Sequence, residues 1–354
     1  MNNFIKNFLL GVVILVVNGT AFGQYRLIEP IVESQPMSLI EAQQHSNRFY
    51  NWVIPANGLD SFILFGNKGR GVKVCICDTG KPTTDHLQKW IVASENFTSD
   101  TTVYDLVSGH STHVTGTIHE IAPEAELLIA KVLSFDGFGT NRGVADGVRW
   151  CYANGAQVIN LSLGGSHSLD LQMAVKDVTD AGVLVVSAVG NNGNYPDVDN
   201  IKFPAKYPNV IAVGSLDRAF NPSTYSNSGP NGTIMIGGQQ IISDWLDGTK
   251  RSLSGTSMAS PAISALAALY YSNTGSMDGF VEQLTDTATD LLDEGYDWRS
   301  FIGAATPKKF LTIRTPEPPK VPEPTEKSNL WVIPLMLLSA LAGFLVTYLS
   351  KPKS

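Results

Sequence analysis

Nearly uninterrupted apolar runs recur through the middle of the chain: Val72 to Cys77, Leu127 to Val132, Val158 to Leu163, Val183 to Ala188 and Val210 to Val213. Each has the length of a strand. Between several of them the pattern changes to helical stretches, such as Arg142 to Ala153 and Ser168 to Ala181. Strands that are apolar throughout must be covered on both faces, and crossover helices between them make neighbouring strands parallel. The pattern therefore predicts an α/β fold of three layers, a mostly parallel central sheet flanked by helices. In such sheets ligands gather beyond the carboxyl ends of the strands. Polar residues stand at those ends: Asp78 and Thr79, then Ser162 and Gly164, then Gly190 and Asn191.

The hydrophobic pattern changes character at both termini. Lys6 precedes the apolar run Phe8 to Val17, and Ala21 and Gly23 follow at the spacing a signal peptidase reads, so residues 1–23 are expected to be a signal peptide cut before Gln24. Leu330 to Leu349 is an uncharged run of 20 residues, close to the ~20 that cross about 30 Å of hydrocarbon. Trp331 and Tyr348 lie near its ends, and Lys351 and Lys353 follow it. The positive-inside rule then places the tail, residues 350–354, in the cytoplasm. Thr315 to Lys327 is Pro-rich and charged, which favours an extended stalk over residues 315–329. These features predict a globular body, residues 71–314, preceded by an N-terminal arm or short pro-segment, residues 24–70. The body would be held on the extracellular or periplasmic side of a cell membrane by a single C-terminal transmembrane helix.

Composition narrows the partners. A net charge of −7 and a pI near 5.4, with no basic stripe, argue against nucleic acid. The three cysteines are too few for a disulfide framework. Cys75 and Cys77 lie two apart in a strand, on one face and about 6.6 Å apart, and are expected to be buried small hydrophobes; Cys151 stays open as a partner for either. No Cys or His stands beside them at metal-ligand spacing.

Three polar segments carry chemistry. Ser257 lies in GTSMASP, residues 255–261, at the head of an apolar helix running through Ala262 to Tyr271. There its hydroxyl would sit among backbone N–H groups that lack intrahelical partners. Pro261 is expected in the first turn, where proline is tolerated. The competing reading makes Ser254 or Ser257 an N-cap. A serine nucleophile needs a base and an orienting acid. Residues 109–117, GHSTHVTGT, offer His110 and His113; their spacing also permits a metal site, but the HExxH pattern is absent. Asp78 in VCICDTG ends a buried strand, where a carboxylate is costly without a partner; a local turn with Thr79 and Gly80 is the alternative.

Together DTG at Asp78, HSTHVTGT at His110, NLSLGG at Asn160, GNNG at Gly190 and GTSMASP at Gly255 resemble, in order and spacing, the subtilisin-like serine proteases, the subtilases. The resemblance covers roughly Gly71 to Leu269. It implies Ser257 as nucleophile, His110 as general base, Asp78 as orienting acid and Asn191 as side-chain donor to the oxyanion, with His113 structural. The resemblance also implies an extended polypeptide substrate between Ser162, Leu163 and Gly164 on one edge and Gly137, Phe138 and Gly139 on the other. There are departures. Ser111 replaces the glycine that usually follows the first histidine. Only Ile118 to Ile121 separate GT from AP, so the family's strong calcium site is expected to be missing and no cofactor is implied, weaker calcium sites staying open. The stretch 24–70 is short for a folded propeptide. Lys202 stands where the family has a small residue on the floor of the pocket for the side chain before the scissile bond, with snorkelling slightly favoured over a charge aimed inward. Two other readings are an inactive subtilase-fold binding module and an esterase; the esterase lacks the GxSxG elbow.

Overall fold

Side-chain alternation along each central strand decides what the two faces of the sheet bury. Val74 and Ile76 pack on one side with Leu127 and Ile129, while Cys75 and Cys77 pack on the other with Leu128 and Ala130. The structure, a computed structural model, describes residues 24–27, 31–32, 53, 68–193, 199–229, 233–286, 288 and 303–304. The chain begins with β1 (Gln24–Leu27) and β2 (Ile31–Val32), then β3 (Lys73–Asp78), α1 (Asp85–Gln88), β4 (Ile91–Asn96) and α2 (His110–Ile121). Next come β5 (Glu126–Lys131), β6 (Phe138–Thr140), α3 (Asn141–Ala153), β7 (Val158–Leu161), β8 (Leu163–Gly165), α4 (Leu169–Asp180) and β9 (Leu184–Ala188). The last are β10 (Val210–Leu216), β11 (Thr233–Gly237), β12 (Ile241–Asp244), β13 (Lys250–Ser254), α5 (Thr256–Thr274), α6 (Phe280–Asp286) and β14 (Gly303–Ala304).

Eight strands form one sheet in the order β14-β11-β10-β9-β7-β3-β5-β4, every neighbouring pair parallel. Helices α2 and α5 contribute Val114, Ile118, Ala262, Ile263 and Leu266 to the core of one face. Helices α3 and α4 contribute Val144, Val148, Leu171 and Val175 to the other. This is the three-layer α/β arrangement the apolar runs predict. Two small antiparallel sheets flank it, β6-β1-β8 and β12-β13-β2.

Three expectations need correction. The run Val158 to Leu163 is not one strand: β7 ends at Leu161 in the main sheet, and after Ser162 the chain leaves to pair as β8 with β1. Pro261 is not in the first turn, since α5 begins at Thr256 and carries the proline inside it. The residue has no N–H for the carbonyl of Ser257, four positions back, and that carbonyl instead accepts from Ser162 Oγ at 3.0 Å. The cysteines are not simply small hydrophobes, because Cys75 and Cys151 form a disulfide with Cα atoms 5.7 Å apart. Both lie in the same core, where α3 crosses β3. Cys77 is a free, buried thiol 3.5 Å from the Cys151 sulfur, and burial pushes its ionisation upward.

Among the described residues no helix is long and apolar enough to cross a membrane. The expected signal peptide 1–23, stalk 315–329, transmembrane helix 330–349 and tail 350–354 all lie outside the described residues, as does most of the arm.

Candidate active site

Asp78 is the last residue of β3, next to the topological centre of the sheet, and its side chain emerges at the carboxyl end. Its carboxylate faces the His110 Nδ1 at 2.8 Å and 3.0 Å, and also accepts the Thr79 N–H at 2.7 Å. An ionised carboxylate only accepts, so Nδ1 carries the ring proton, and that tautomer leaves Nε2 as an acceptor. Among the described residues Nε2 has no hydrogen-bond partner, although it is buried. His110 opens α2, and two polar residues hold that end in place. Asp105, fully buried, accepts from the N–H groups of Gly109 and Thr112 at 3.0 and 3.1 Å and so caps the helix from outside. Thr79 Oγ1 accepts from the Ser111 N–H at 3.1 Å, which ties the helix start to the loop after β3.

Lys131 ends β5 beside them. Although fully buried, it donates to the carbonyls of Thr79 at 2.6 Å and Leu133 at 3.1 Å and pairs with Asp100 at 2.9 Å. These bonds compensate its burial and pin the loop that follows Asp78. Neither Asp105 nor Lys131 stood out in the motifs. A lysine closing the run ELLIAK is the one signal available in the sequence, since a cation at the end of a buried strand requires partners; Asp105 has no such signal.

Ser257 is the second residue of α5, with Gly255 at the N-cap position, so it is not itself the cap. Its Oγ donates to the Ser162 carbonyl at 3.1 Å, while Ser162 Oγ serves the Ser257 carbonyl. The end of β7 and the start of α5 are further joined through Asn160, whose Oδ1 accepts from Ser260 and Ser264 at 2.9 and 3.0 Å. Asn191 follows β9. Its Oδ1 accepts both the N–H and the hydroxyl of Thr256 at 2.9 Å, which fixes the orientation of the amide beside the Ser257 end of the helix. Asp78, His110 and Ser257 are 0%, 1% and 0% exposed.

His113, one turn after His110, has a different task. Its Nε2 donates to the carbonyls of Ile241 and Arg251, each at 3.1 Å, and so anchors the β12–β13 hairpin to α2. Burial, with His110 nearby, lowers its pKa from 6.5 to about 3. The folded chain therefore keeps His113 neutral while the unfolded chain takes up a proton below pH 6.5. Stability present above that pH is lost as pH falls toward 3, at about 1.4 kcal/mol per pH unit for the one group. Denaturant midpoints measured in a Ser257→Ala background, to suppress self-digestion, should fall across this window. In His113→Gln, which keeps a donor without the titration, the slope should flatten; equal slopes in both chains would refute the assignment.

The two edges expected to receive substrate are occupied by the chain itself. Strand β1 lies between β6 and β8: Tyr25 is opposite Gly139 and Gly165, Arg26 opposite Phe138 and Gly164, and Leu27 opposite Leu163. Gly137, at φ 80°, closes the turn before β6 by donating to the Ser134 carbonyl at 2.9 Å. Lys202 is half-buried and borders Gly190, where a Cβ would meet its Cγ at 3.0 Å. It is thus brought near Asn191, but its position assigns it no preference.

The comparisons with known proteins agree in direction. A family profile described as "Subtilase family" matches residues 69–298. Subtilisin DY of Bacillus licheniformis is 37% identical over 261 residues, covering 70% of this chain and 95% of the relative. Subtilisin BL of Lederbergia lenta is 38% identical over 238 residues, covering 64% and 86%. Subtilisin of Bacillus pumilus is 33% identical over 250 residues, covering 67% and 90%.

Proposed function

The chain belongs to the subtilase family and is a subtilisin-like serine endopeptidase, and from this premise we propose that Asp78, His110, Ser257 and Asn191 perform its chemistry on the outer face of a membrane. The observation that carries the assignment is the Asp78–His110 pair, which holds the imidazole with Nδ1 protonated and Nε2 bare. In the resting chain the Ser257 hydroxyl points at the Ser162 carbonyl. The reading requires rotation about Cα–Cβ to exchange that acceptor for His110 Nε2, at the cost of one neutral hydrogen bond, ~0.5–1.5 kcal/mol.

Proton removal by His110 then lets Ser257 Oγ attack the peptide carbonyl. The Asn191 amide and the Ser257 N–H stabilise the oxyanion, His110 protonates the leaving amine, and water releases the acyl-enzyme by the same steps in reverse order. Every group in this scheme belongs to the chain, so the reading gives no metal a part in the reaction. Helix α2 continues unbroken to Ile121, which supports the absence of the family's strong calcium loop. The substrate is an extended polypeptide bound along β6 and β8, with Lys202 beside the pocket for the side chain preceding the cut.

The tether is read from the C-terminal sequence: the 20-residue apolar run, its flanking Trp331 and Tyr348, and the stalk. Peptidase activity should sediment with membranes and resist high-salt washing in the full chain, whereas a chain ending at Arg314 should be soluble with the same kcat/KM on a small peptide. Full-length activity in the supernatant would refute the tether and leave the endopeptidase reading untouched.

A further inference from the structure

Strand β9 ends at Ala188, and the chain must then turn to bring Asn191 to the head of α5. Gly190, at φ 112°, makes that turn in a region that residues with a Cβ rarely adopt. Beside it lies Asn227, 1% exposed, in the segment YSNSGPNG that follows β10 and has no part in the catalytic scheme. Asn227 bonds on both sides of Asn191. Upstream, its Nδ2 donates to the Val189 carbonyl at 3.1 Å and its backbone N–H to the Gly190 carbonyl at 2.9 Å. Downstream, its Oδ1 accepts the Asn192 N–H at 2.7 Å. The second hydrogen of Nδ2 goes to the Asn200 carbonyl at 2.8 Å.

These contacts complement those of Thr256, which holds Asn191 Oδ1 and so sets which way the amide is turned. Orientation alone does not place a donor, because its distance from the reacting oxygen follows the position of the Asn191 backbone. Asn227 spans that backbone, and the fit is close: a Cβ on Gly190 would lie 2.4 Å from Asn227 Nδ2. Neighbouring bonds hold Asn227 in turn. The Gly193 N–H donates to the Tyr225 carbonyl at 2.9 Å, Asn200 Nδ2 donates to the Gly193 carbonyl at 2.7 Å, and the Ser228 N–H donates to Asn200 Oδ1 at 2.9 Å. A buried amide whose oxygen and both N–H groups are engaged can shift only by breaking one of those bonds.

We infer that Asn227 is a positioning residue for the reaction, acting through Asn191 by fixing the backbone from which the Asn191 amide reaches the oxyanion. The inference rests on the reading of Asn191 as oxyanion donor and goes beyond it in naming the group that aims the donor. A donor is effective when it stands in place before charge develops, and a displacement of ~1 Å can cost on the order of 10²-fold in rate. A side chain that only held the loop together would act on stability whether or not Asn191 were present. One that aims the donor acts on the transition state, and only while the donor is there.

The test is a double-mutant cycle on the full chain with a small peptide substrate, with rates taken per folded protein and a melting curve for each variant. Asn227→Ala should lower kcat about 10- to 100-fold with KM changed less than about twofold, and should weaken a peptide aldehyde, whose Ser257 adduct carries the oxyanion, by a similar factor. Asn191→Ala alone should lower kcat ~10²–10³-fold. In that background Asn227→Ala should change kcat less than about twofold, because no donor is left to aim. Asn227→Ser, a smaller change, carries the same cycle where the alanine variant does not fold. Hydrogen exchange adds a readout independent of catalysis: Asn192 is exposed, yet its amide should be protected in wild type and lose protection in Asn227→Ala. The inference is overturned if the Asn227 variants keep the wild-type kcat, if they lose equal factors in both backgrounds, or if the Asn192 amide exchanges freely in wild type. Full activity in Asn191→Ala would remove the oxyanion reading and the inference with it, and no peptide hydrolysis by wild type would remove the endopeptidase reading.

Discussion

Peptide hydrolysis disappears in Ser257→Ala, with kcat falling on the order of 10⁶-fold, the loss characteristic of a nucleophile that acts as one unit with its base. The fold has little reason to change. Ser257 Oγ donates a neutral hydrogen bond to the Ser162 carbonyl, which belongs to the chain between two strands. Losing that bond costs roughly 1 kcal/mol, while α5 keeps the core residues Met258, Ala259, Ala262 and Ile263. Initial rates on a small peptide, with a melting curve for each protein, separate chemistry from folding. A serine-directed fluoride should acylate only the wild type. Retention of more than a few per cent of kcat would exclude Ser257 as the nucleophile, and binding of peptides without turnover by wild type would favour the inactive binding module.

The second large effect is expected in Asp78→Asn, about 10⁴-fold in kcat. Size is nearly unchanged, so the loss must arise from protons. An asparagine beside Nδ1 can donate as well as accept, which favours the imidazole tautomer with the proton on Nε2. That nitrogen could then no longer accept from Ser257. A positive charge forming on His110 would also lose the carboxylate that now lies 2.8 Å from Nδ1. The two effects act on the same step and need not add. NMR of the ring nitrogens should show the exchanged tautomer, and a variant with full activity, or with low activity and the original tautomer, would refute the role given to Asp78.

Much of this architecture was legible before any coordinates. The five apolar runs lie at the five strands β3, β5, β7, β9 and β10 because a parallel strand buried on both faces must be apolar at every position. The helical patterns at Arg142 to Ala153 and Ser168 to Ala181 match α3 and α4 to within a residue, since each opens on a side-chain oxygen that caps it, Thr140 and Ser168. Strands β4, β6 and β12 were not legible. They are short or half-exposed, and their pairing partners, not their own periodicity, make them strands. The cysteines show the same limit. Spacing correctly put Cys75 and Cys77 on one face, but only the crossing of α3 over β3 brings Cys151 to both, bonded to Cys75 and 3.5 Å from the Cys77 sulfur.

By itself the sequence determined the kinds of groups present and the local geometry that follows from period and spacing: apolar strands ending in polar residues, a serine near the head of a helix, a histidine at the start of another. Those are consequences of short-range sterics and solvation, which a few consecutive residues decide. Only the tertiary structure decided which distant groups meet. It brought Asp105 to the start of α2, Lys131 under the Thr79 carbonyl, Ser162 to the carbonyl that Pro261 leaves without its helical donor, and β1 into the cleft. Each of these contacts satisfies a buried polar atom whose burial is itself a product of packing, so no local pattern announces it.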